Sequence, residues 1–215
     1  MTLIFVNRYF FPDHSATSQM VSDLAFFLAG EGEDVRVVTG RQLYDDPTAQ
    51  LPAVETISGV QVNRAWSSRF GRRSLLGRAA DYLSFYVGAA WTLWHLVKPG
   101  DVVIAKTDPP LVSVIAGWVV RSRRAVLVNW LQDLFPEIAR ELGVGLVAPP
   151  LGPVLSWFRD RSLRGAAVNV VLGRRMADRL EERGLERERV AIIANWADDA
   201  AITPLAHADN PLRAE

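Results

Sequence analysis

The chain has 215 residues, of which 49% are hydrophobic and 22% are charged, a composition typical of a globular protein with one large domain. Lys and Arg together number 24, as do Asp and Glu, so the overall charge does not indicate nucleic-acid binding, and we predict no such partner. The absence of cysteine excludes disulfides and thiolate metal sites, and with only three histidines we predict no metal site.

Short apolar segments alternate with helical patterns along the whole chain. Strands are predicted at 3–7, 34–39, 54–57, 60–65, 101–106, 125–130, 167–172 and 190–194, and helices at 17–29, 72–97 (one helix or two), 110–121, 136–142, 154–163 and 174–183. The two strands split by Ser58 and Gly59 are expected to form a hairpin or a bent strand. Repeated strand–helix alternation predicts an α/β fold with a doubly wound, mostly parallel, Rossmann-like sheet. In such sheets ligands bind at the carboxyl ends of the strands.

The segment 79–97 is the most membrane-like part of the sequence. It contains Asp81, Ser84 and His95, so we predict attachment to a membrane surface rather than a spanning helix. Arginines and aromatic residues interleave just before it, which suits an anionic lipid surface. The residues predicted to face the membrane are Arg69, Phe70, Arg72, Arg73 and Arg78. The apolar positions of 82–96 are expected to be mostly packed.

The loop after the first strand lacks the Gly-x-Gly-x-x-Gly pattern, which disfavours NAD or FAD binding. It leads into a helix with Ser15 and Thr17 near its amino end. These hydroxyls could serve an anion site, because free N–H groups and the helix dipole point outward there. Alternatively, Asp13 or Ser15 caps the helix.

Polar residues also follow the later strands and are expected to converge on one edge of the sheet. They are Arg41, Lys106, Asp108, Asp133 and Glu137. Asp133 comes directly after a buried strand, so its carboxylate could be partly desolvated and could accept a proton from a hydroxyl or orient it. It could equally be the N-cap of the helix that follows.

Several of these segments together carry a family resemblance. They read NRYFFPD at 7–13, AT at 16–17, SDLA at 22–25, VRVVTG at 35–40, TDPP at 107–110, QDLFPE at 132–137 and VAIIANWAD at 190–198. In this order the chain resembles the N-terminal domain of retaining glycosyltransferases of family four, which have the GT-B fold. It is most similar to bacterial members that build surface polysaccharides.

The resemblance implies that residues 1–204 form an acceptor-binding domain, that 205–215 begin a linker or frayed tail, and that the C-terminal donor domain is absent from this chain. The chain alone is then expected to be inactive. The resemblance further implies a nucleotide-sugar co-substrate, no resident cofactor and no metal. Asp133 would be the catalytic residue, orienting the acceptor or stabilising positive charge while the leaving phosphate takes the proton. The implied acceptor-binding residues are Asn7, Tyr9, Ser15, Thr17, Arg41, Lys106 and Asp108.

The family and the basic-aromatic segment together predict a saccharide or polyprenyl-diphosphate-linked acceptor. The amino terminus has the pattern of a strand rather than a signal peptide. We therefore expect a cytoplasmic protein, peripheral on the inner face of the plasma membrane. Two other hypotheses stay open: a stand-alone binding or scaffold module that partners a separate donor-binding subunit, and a nucleotide-cofactor enzyme, which the missing glycines disfavour.

Overall fold

A computed structural model describes residues 1–70, 75–143, 149–197, 204–206 and 210. The strands of the described chain are β1 Leu3–Val6, β2 Val35–Gly40, β3 Val54–Ile57, β4 Val60–Ala65, β5 Val102–Lys106, β6 Val126–Trp130, β7 Val168–Val171 and β8 Val190–Ile192. The helices are α1 Ala16–Gly30, α2 Leu75–Leu96, α3 Val112–Arg123, α4 Glu137–Glu141, α5 Leu151–Gly165 and α6 Arg174–Glu181, and Arg187–Arg189 forms a 3-10 turn.

All these strands belong to one sheet with the order β3-β4-β2-β1-β5-β6-β7-β8. Every pairing is parallel except that of β3 with β4. The exception is the predicted hairpin: Ser58 and Gly59 both have positive φ angles, 47° and 82°, which is the geometry of a tight two-residue turn. The predicted doubly wound, mostly parallel sheet is confirmed.

The two faces of the sheet have separate cores. On one face α1 packs against Phe5, Val37 and Val62. On the other, α2 and α3 cover Ile4 and Val103, among other buried side chains, and α5 and α6 continue this layer over the last strands. The alternation of side chains along each strand explains why strands with near-continuous apolar sequences can fill both cores.

Two helices are defined more closely by the structure than by the sequence. The segment after β4 forms one helix over its described residues, one of the two predicted alternatives, and α5 begins at Leu151, a few residues before the predicted start at 154. Pro150 and Pro153 lie at the N-cap and in the first turn of α5. A backbone N–H at these positions has no acceptor within the helix, so proline costs no helical hydrogen bond there. The prolines therefore mark the start of α5 rather than interrupt it.

The chain direction reverses between β1 and β5. From β1 the chain moves to one side of the sheet through β2, and after β4 it crosses to β5 and continues to the other side. Loops that leave β1 and β5 in opposite directions open a crevice at the carboxyl ends of these strands. Several of the polar residues predicted from the sequence lie at this rim.

An ion-pair network fastens the short helix α4 to the helices after it. The Arg159 guanidinium donates to both carboxylate oxygens of Glu137, at 2.8 Å each, and to the Phe135 carbonyl at 3.1 Å. Arg183 also pairs with Glu137, and Arg159 Nε donates to Asp160 at 2.6 Å. Burial would raise the pKa of Glu137, but the hydrogen bond and charge of Arg159 outweigh it and the pKa is lowered. Glu137 thus has a structural role and is turned away from the rim.

Candidate functional site

The loop after β1 is held at the centre of the rim by backbone contacts. The Arg8 N–H donates to the Asp108 carbonyl at 2.8 Å, and the Gly40 N–H donates to the Arg8 carbonyl at 2.8 Å. A Cβ atom on Gly40 would lie 2.9 Å from that carbonyl oxygen, so the close approach requires glycine. Asn7 is fully buried, and its amide donates to the Tyr9 carbonyl at 2.7 Å. The loop is therefore rigidly placed between β2 and β5.

A cavity of about 300 Å³, the rim cavity, opens beside this loop. It is lined by Arg8, Tyr9, Gln42, Leu43, Tyr44, Asp45, Pro47, Arg78, Asp81 and Tyr82. The lining combines two arginines, three tyrosines and two carboxylates, a mixture suited to a polar ligand that carries negative charge.

The arginine of the loop is sandwiched by aromatic rings. The Arg8 guanidinium carbon lies 4.8 Å from the Tyr82 ring centre and 5.5 Å from the Tyr9 ring centre. Burial raises the pKa of Tyr82, and the nearby Asp108 carboxylate adds to this rise. Because cation–π contacts hold the guanidinium in one place, Arg8 presents a fixed positive charge to the rim cavity.

The two hydroxyls predicted near the start of α1, those of Ser15 and Thr17, donate to different carboxylates. Thr17 Oγ1 donates to Asp108 Oδ2 at 3.2 Å, so these two predicted residues lie together. The hydroxyl and the N–H of Ser15 both donate to Asp13, which also accepts the Tyr44 N–H. Ser15 is the N-cap residue of α1, but its side chain makes no capping bond. Asp13 thus orders the wall of the rim cavity.

Lys106 ends β5 beneath the rim and is 2% exposed. Its ammonium nitrogen has no hydrogen-bond partner in the described chain and lies 4.0 Å from the centre of the Trp130 ring. Trp130 in turn stacks on Trp196, with ring centres 5.7 Å apart. Burial lowers the pKa of Lys106 to about 8, although the nearby Asp108 carboxylate opposes the change. Lys106 is therefore not among the residues that line the rim cavity.

Replacement of Lys106 by methionine is expected to stabilise the chain at pH 7 by about 2–3 kcal/mol, because the buried ammonium is disfavoured relative to its solvated unfolded form. The folded pKa of about 8 lies below the ordinary value of 10.5. The penalty is therefore fully present below about pH 8 and is relieved as the pH rises toward 10.5.

Urea unfolding at pH 7 and at high pH measures this difference. Lys98, the other lysine of the chain, is exposed and serves as the control, since its replacement by methionine should change the unfolding free energy little at either pH. Equal stability of Lys106→Met and the unmodified chain at pH 7 would contradict the prediction.

Asp133 follows β6 at the rim and does not cap α4, whose N-cap residue is Pro136. The residue as a whole is exposed, yet its carboxyl group lies close enough to surrounding protein for desolvation to raise its pKa. A ligand can therefore reach this carboxylate from solvent. No hydrogen bond to the Asp133 carboxylate occurs within the described residues.

Arg41 is another predicted residue whose side chain is engaged elsewhere. Its Nε donates to the Leu51 carbonyl at 2.9 Å, within the loop between β2 and β3, and it does not line the rim cavity. Conversely, sequence reasoning missed Arg8, Asp81 and Tyr82 as site residues. One signal was available: a helix that follows β4 must begin at the carboxyl edge, so polar residues in its first turns lie at the rim.

The predicted membrane-facing residues lie around the start of α2. Arg69, Phe70 and Arg78 are exposed, whereas Arg72 and Arg73 lie outside the described residues. On α2, Phe85 and Ala89 are buried, as predicted for 82–96, but Leu83, Val87 and Trp91 are 63–70% exposed. The expectation of a mostly packed segment is therefore wrong for one side of α2. No helix in the described ranges is long and apolar enough to cross a bilayer.

A mostly parallel sheet with helices on both faces and a polar cavity at the carboxyl ends of its strands is typical of a Rossmann-like ligand-binding domain. Residues 15–196 match the family model described as glycosyl transferase 4-like domain. Because this match covers most of the chain, the chain belongs to the glycosyl transferase 4-like domain family. No curated protein matches the chain.

Solved structures share the fold at low sequence identity. Sucrose-phosphate synthase from Thermosynechococcus elongatus aligns over 99% of this chain and 52% of its own, with 13% identity and a TM-score of 0.66. Anabaena HepE in complex with UDP aligns over 92% and 45%, with 14% identity and a TM-score of 0.54. Trehalose 6-phosphate synthase from Burkholderia multivorans aligns over 85% and 42%, with 14% identity and a TM-score of 0.52. The chain spans about half the length of these proteins and has the fold of an N-terminal GT-B domain.

Proposed function

We propose that the chain is the acceptor-binding domain of a retaining glycosyltransferase that moves a sugar from a nucleotide-sugar to a saccharide, linked to a polyprenyl diphosphate, in surface polysaccharide synthesis. A donor-binding domain would be supplied by further polypeptide or by a separate subunit. The observation that carries the proposal is the rim cavity, which gathers two arginines and three tyrosines beside the loop after β1, at the carboxyl edge of the sheet, in a glycosyl transferase 4-like domain.

Each part of the rim cavity suits one part of such an acceptor. The fixed guanidinium of Arg8, with Arg78 also lining the cavity, suits a diphosphate. Tyrosine hydroxyls and the Asp45 carboxylate offer hydrogen bonds to sugar hydroxyls. Asp133, exposed and partly desolvated at the same edge, is proposed to orient the attacking hydroxyl. No step of this proposal requires a metal or a resident cofactor.

The test uses this domain together with its donor-binding domain or subunit. The protein is supplied with UDP- and GDP-sugars and with a saccharide on a polyprenyl diphosphate. We expect mass spectrometry to show one sugar added to the acceptor, and Arg8→Gln to raise the KM for the acceptor more than the KM for the donor. A protein that transfers no sugar with any of these donors while binding NAD(P) would overturn the proposal. If transfer requires a separate donor-binding subunit encoded nearby, the version of the proposal with a separate subunit is supported.

We also propose that the domain lies on an anionic membrane through the residues just before α2 and the exposed side of α2. The exposed Arg69 and Phe70, together with the exposed stripe of Leu83, Val87 and Trp91, give this surface basic and apolar character. Such a location, peripheral on the cytoplasmic face of the plasma membrane, would bring the rim cavity to a lipid-linked acceptor.

Flotation of the chain with vesicles that contain phosphatidylglycerol is the corresponding measurement. Replacing Arg69 and Trp91 by serine is expected to weaken vesicle binding about tenfold, because each basic residue near an anionic surface contributes on the order of 1 kcal/mol and the apolar ring adds to it. Phe27→Ser is the matched control, since Phe27 is 62% exposed on α1, on the opposite face of the sheet. Equal losses in both variants would refute the α2 surface.

A further inference from the structure

A second cavity lies far from the rim, in the cleft between α3 and α5. The α3–α5 cleft has a volume of about 670 Å³, more than twice the 300 Å³ of the rim cavity. Its floor includes Ala125 and Ala167, which directly precede β6 and β7. Because those residues mark the amino ends of the strands, the cleft opens at the opposite edge of the sheet from the rim. The acceptor site therefore does not account for it.

The walls of the cleft are apolar, and part of its space exists because two residues lack side chains. Trp118 on α3 and Trp157 on α5 line it and are 61% and 58% exposed. A Cβ on Gly165 would meet nothing within 4 Å, and one on Gly117 would touch Leu127 at 3.4 Å. Two tryptophans this exposed on one surface of a monomer indicate that something apolar contacts them.

The mouth of the cleft is basic. Arg121, Arg161 and Arg164, with Trp157 and Gly165, line an adjoining cavity of about 220 Å³. Arg121 and Arg161 have no carboxylate partner among the described residues, and the neighbouring Asp160 is bonded to Arg159. In the part of the chain that the structure describes, the Arg164 side chain makes one long hydrogen bond, 3.4 Å, to the Arg183 carbonyl. Several guanidinium groups without counter-charges around one small cavity favour a phosphate.

The cleft is continuous with the proposed membrane surface. Trp94 of α2 stacks on Trp118 of α3 with ring centres 5.3 Å apart, and α2, α3 and α5 cover the same face of the sheet. The exposed side of α2, with Val87 and Trp91, thus leads into the cleft. Tryptophan and arginine are the residues that proteins place at the boundary between acyl chains and headgroups.

We infer that the α3–α5 cleft binds one anionic phospholipid of the bilayer, with an acyl chain between Trp118 and Trp157 and the headgroup phosphate on Arg121, Arg161 and Arg164. This inference rests on the proposed membrane association and adds a specific lipid site to it. The apolar walls, the space left by glycine and the unpaired arginines at the mouth match the two parts of such a lipid.

Native mass spectrometry of the delipidated chain with added phosphatidylglycerol tests the site, alongside flotation with vesicles of phosphatidylcholine with and without phosphatidylglycerol. We expect one retained phosphatidylglycerol, and retention about tenfold weaker in Arg121→Ser/Arg161→Ser. Gly165→Phe, which fills the cleft without removing charge, should weaken retention similarly. Arg174→Ser/Arg175→Ser on α6 removes the same exposed charge and is expected to retain lipid normally. Unchanged thermal unfolding establishes that each variant is folded.

The two proposals fail in different ways. Normal flotation with no retained lipid, or equal retention in all variants, would overturn the cleft site and leave membrane association intact. A dimer in place of a lipid adduct would assign the cleft to a second copy of the chain and would also overturn it. Absence of flotation in the unmodified chain would remove the membrane proposal and the cleft site with it.

Discussion

Replacement of Asp133 by asparagine is expected to lower kcat for sugar transfer about 100- to 1000-fold when the domain acts together with its donor-binding domain or subunit, the usual cost of losing an oriented charge at a reacting centre. Asparagine keeps the shape and loses the negative charge. The exposed carboxylate has no hydrogen-bond partner within the described residues, so its charge is available to an acceptor hydroxyl or to positive charge that develops on the sugar. The KM for the donor should change little.

The pH profile distinguishes this role from a structural one. Desolvation raises the pKa of Asp133, so the ionised form is lost at a higher pH than for an ordinary aspartate, and activity should fall as the pH drops through that pKa. Asp133→Asn should lack this acidic limb. Glu141→Gln, an exposed carboxylate on α4, is the control and should behave as the unmodified protein. A kcat for Asp133→Asn within about twofold of the control would exclude a catalytic Asp133.

Replacement of Arg159 by methionine is expected to lower the free energy of unfolding by about 3–5 kcal/mol, because it leaves the half-buried Glu137 without its bidentate partner. Arg159 is 5% exposed, so water cannot take its place without rearrangement. Arg183 still pairs with Glu137, which places the expected loss toward the lower end of this range. Urea unfolding of the chain at pH 7 gives the value.

A double-mutant cycle measures the interaction energy between Glu137 and Arg159. Glu137→Gln combined with Arg159→Met should cost clearly less than the sum of the single changes, because the double variant has no Glu137 charge that could be left without its bidentate partner. Because the folded pKa of Glu137 is lowered, its contribution is present above the unfolded pKa of about 4.5 and is lost as the pH falls through the folded value. Additive losses would show that Arg159 acts through packing alone.

The order of strands and helices could be predicted because each has its own apolar period. Buried parallel strands appear as short continuous apolar segments, and helices repeat apolar residues every three or four positions. The start of α5 could not be predicted in this way, because Pro150 and Pro153 belong equally to a loop and to a first helical turn. Composition alone does not separate those two settings.

The candidate site was predicted in position but only partly in its side chains. Strand ends fix which loops reach the rim, so Tyr9, Asp108 and Asp133 could be expected there. Local hydrogen bonds then decide where each side chain points, and the sequence alone does not show which acceptor a polar group will use: the Ser15 hydroxyl donates to Asp13, and Arg41 Nε donates to the Leu51 carbonyl. Tyr82 comes from α2, far along the chain from the loop after β1. Because its neighbours in sequence are mostly apolar, the sequence places it in the segment 82–96 that is predicted to be packed.

The contacts of Asn195 and Trp196 fix where the polypeptide leaves the sheet. The Asn195 amide donates to Gln132 at 3.1 Å, and Trp196 stacks on Trp130, so the chain that follows β8 is anchored at the carboxyl edge. Any module joined by a short tether after Trp196, natural or engineered, starts at the same edge as the rim cavity. Short flexible tethers give effective concentrations in the millimolar range. A tethered partner would therefore engage this edge without strong affinity of its own.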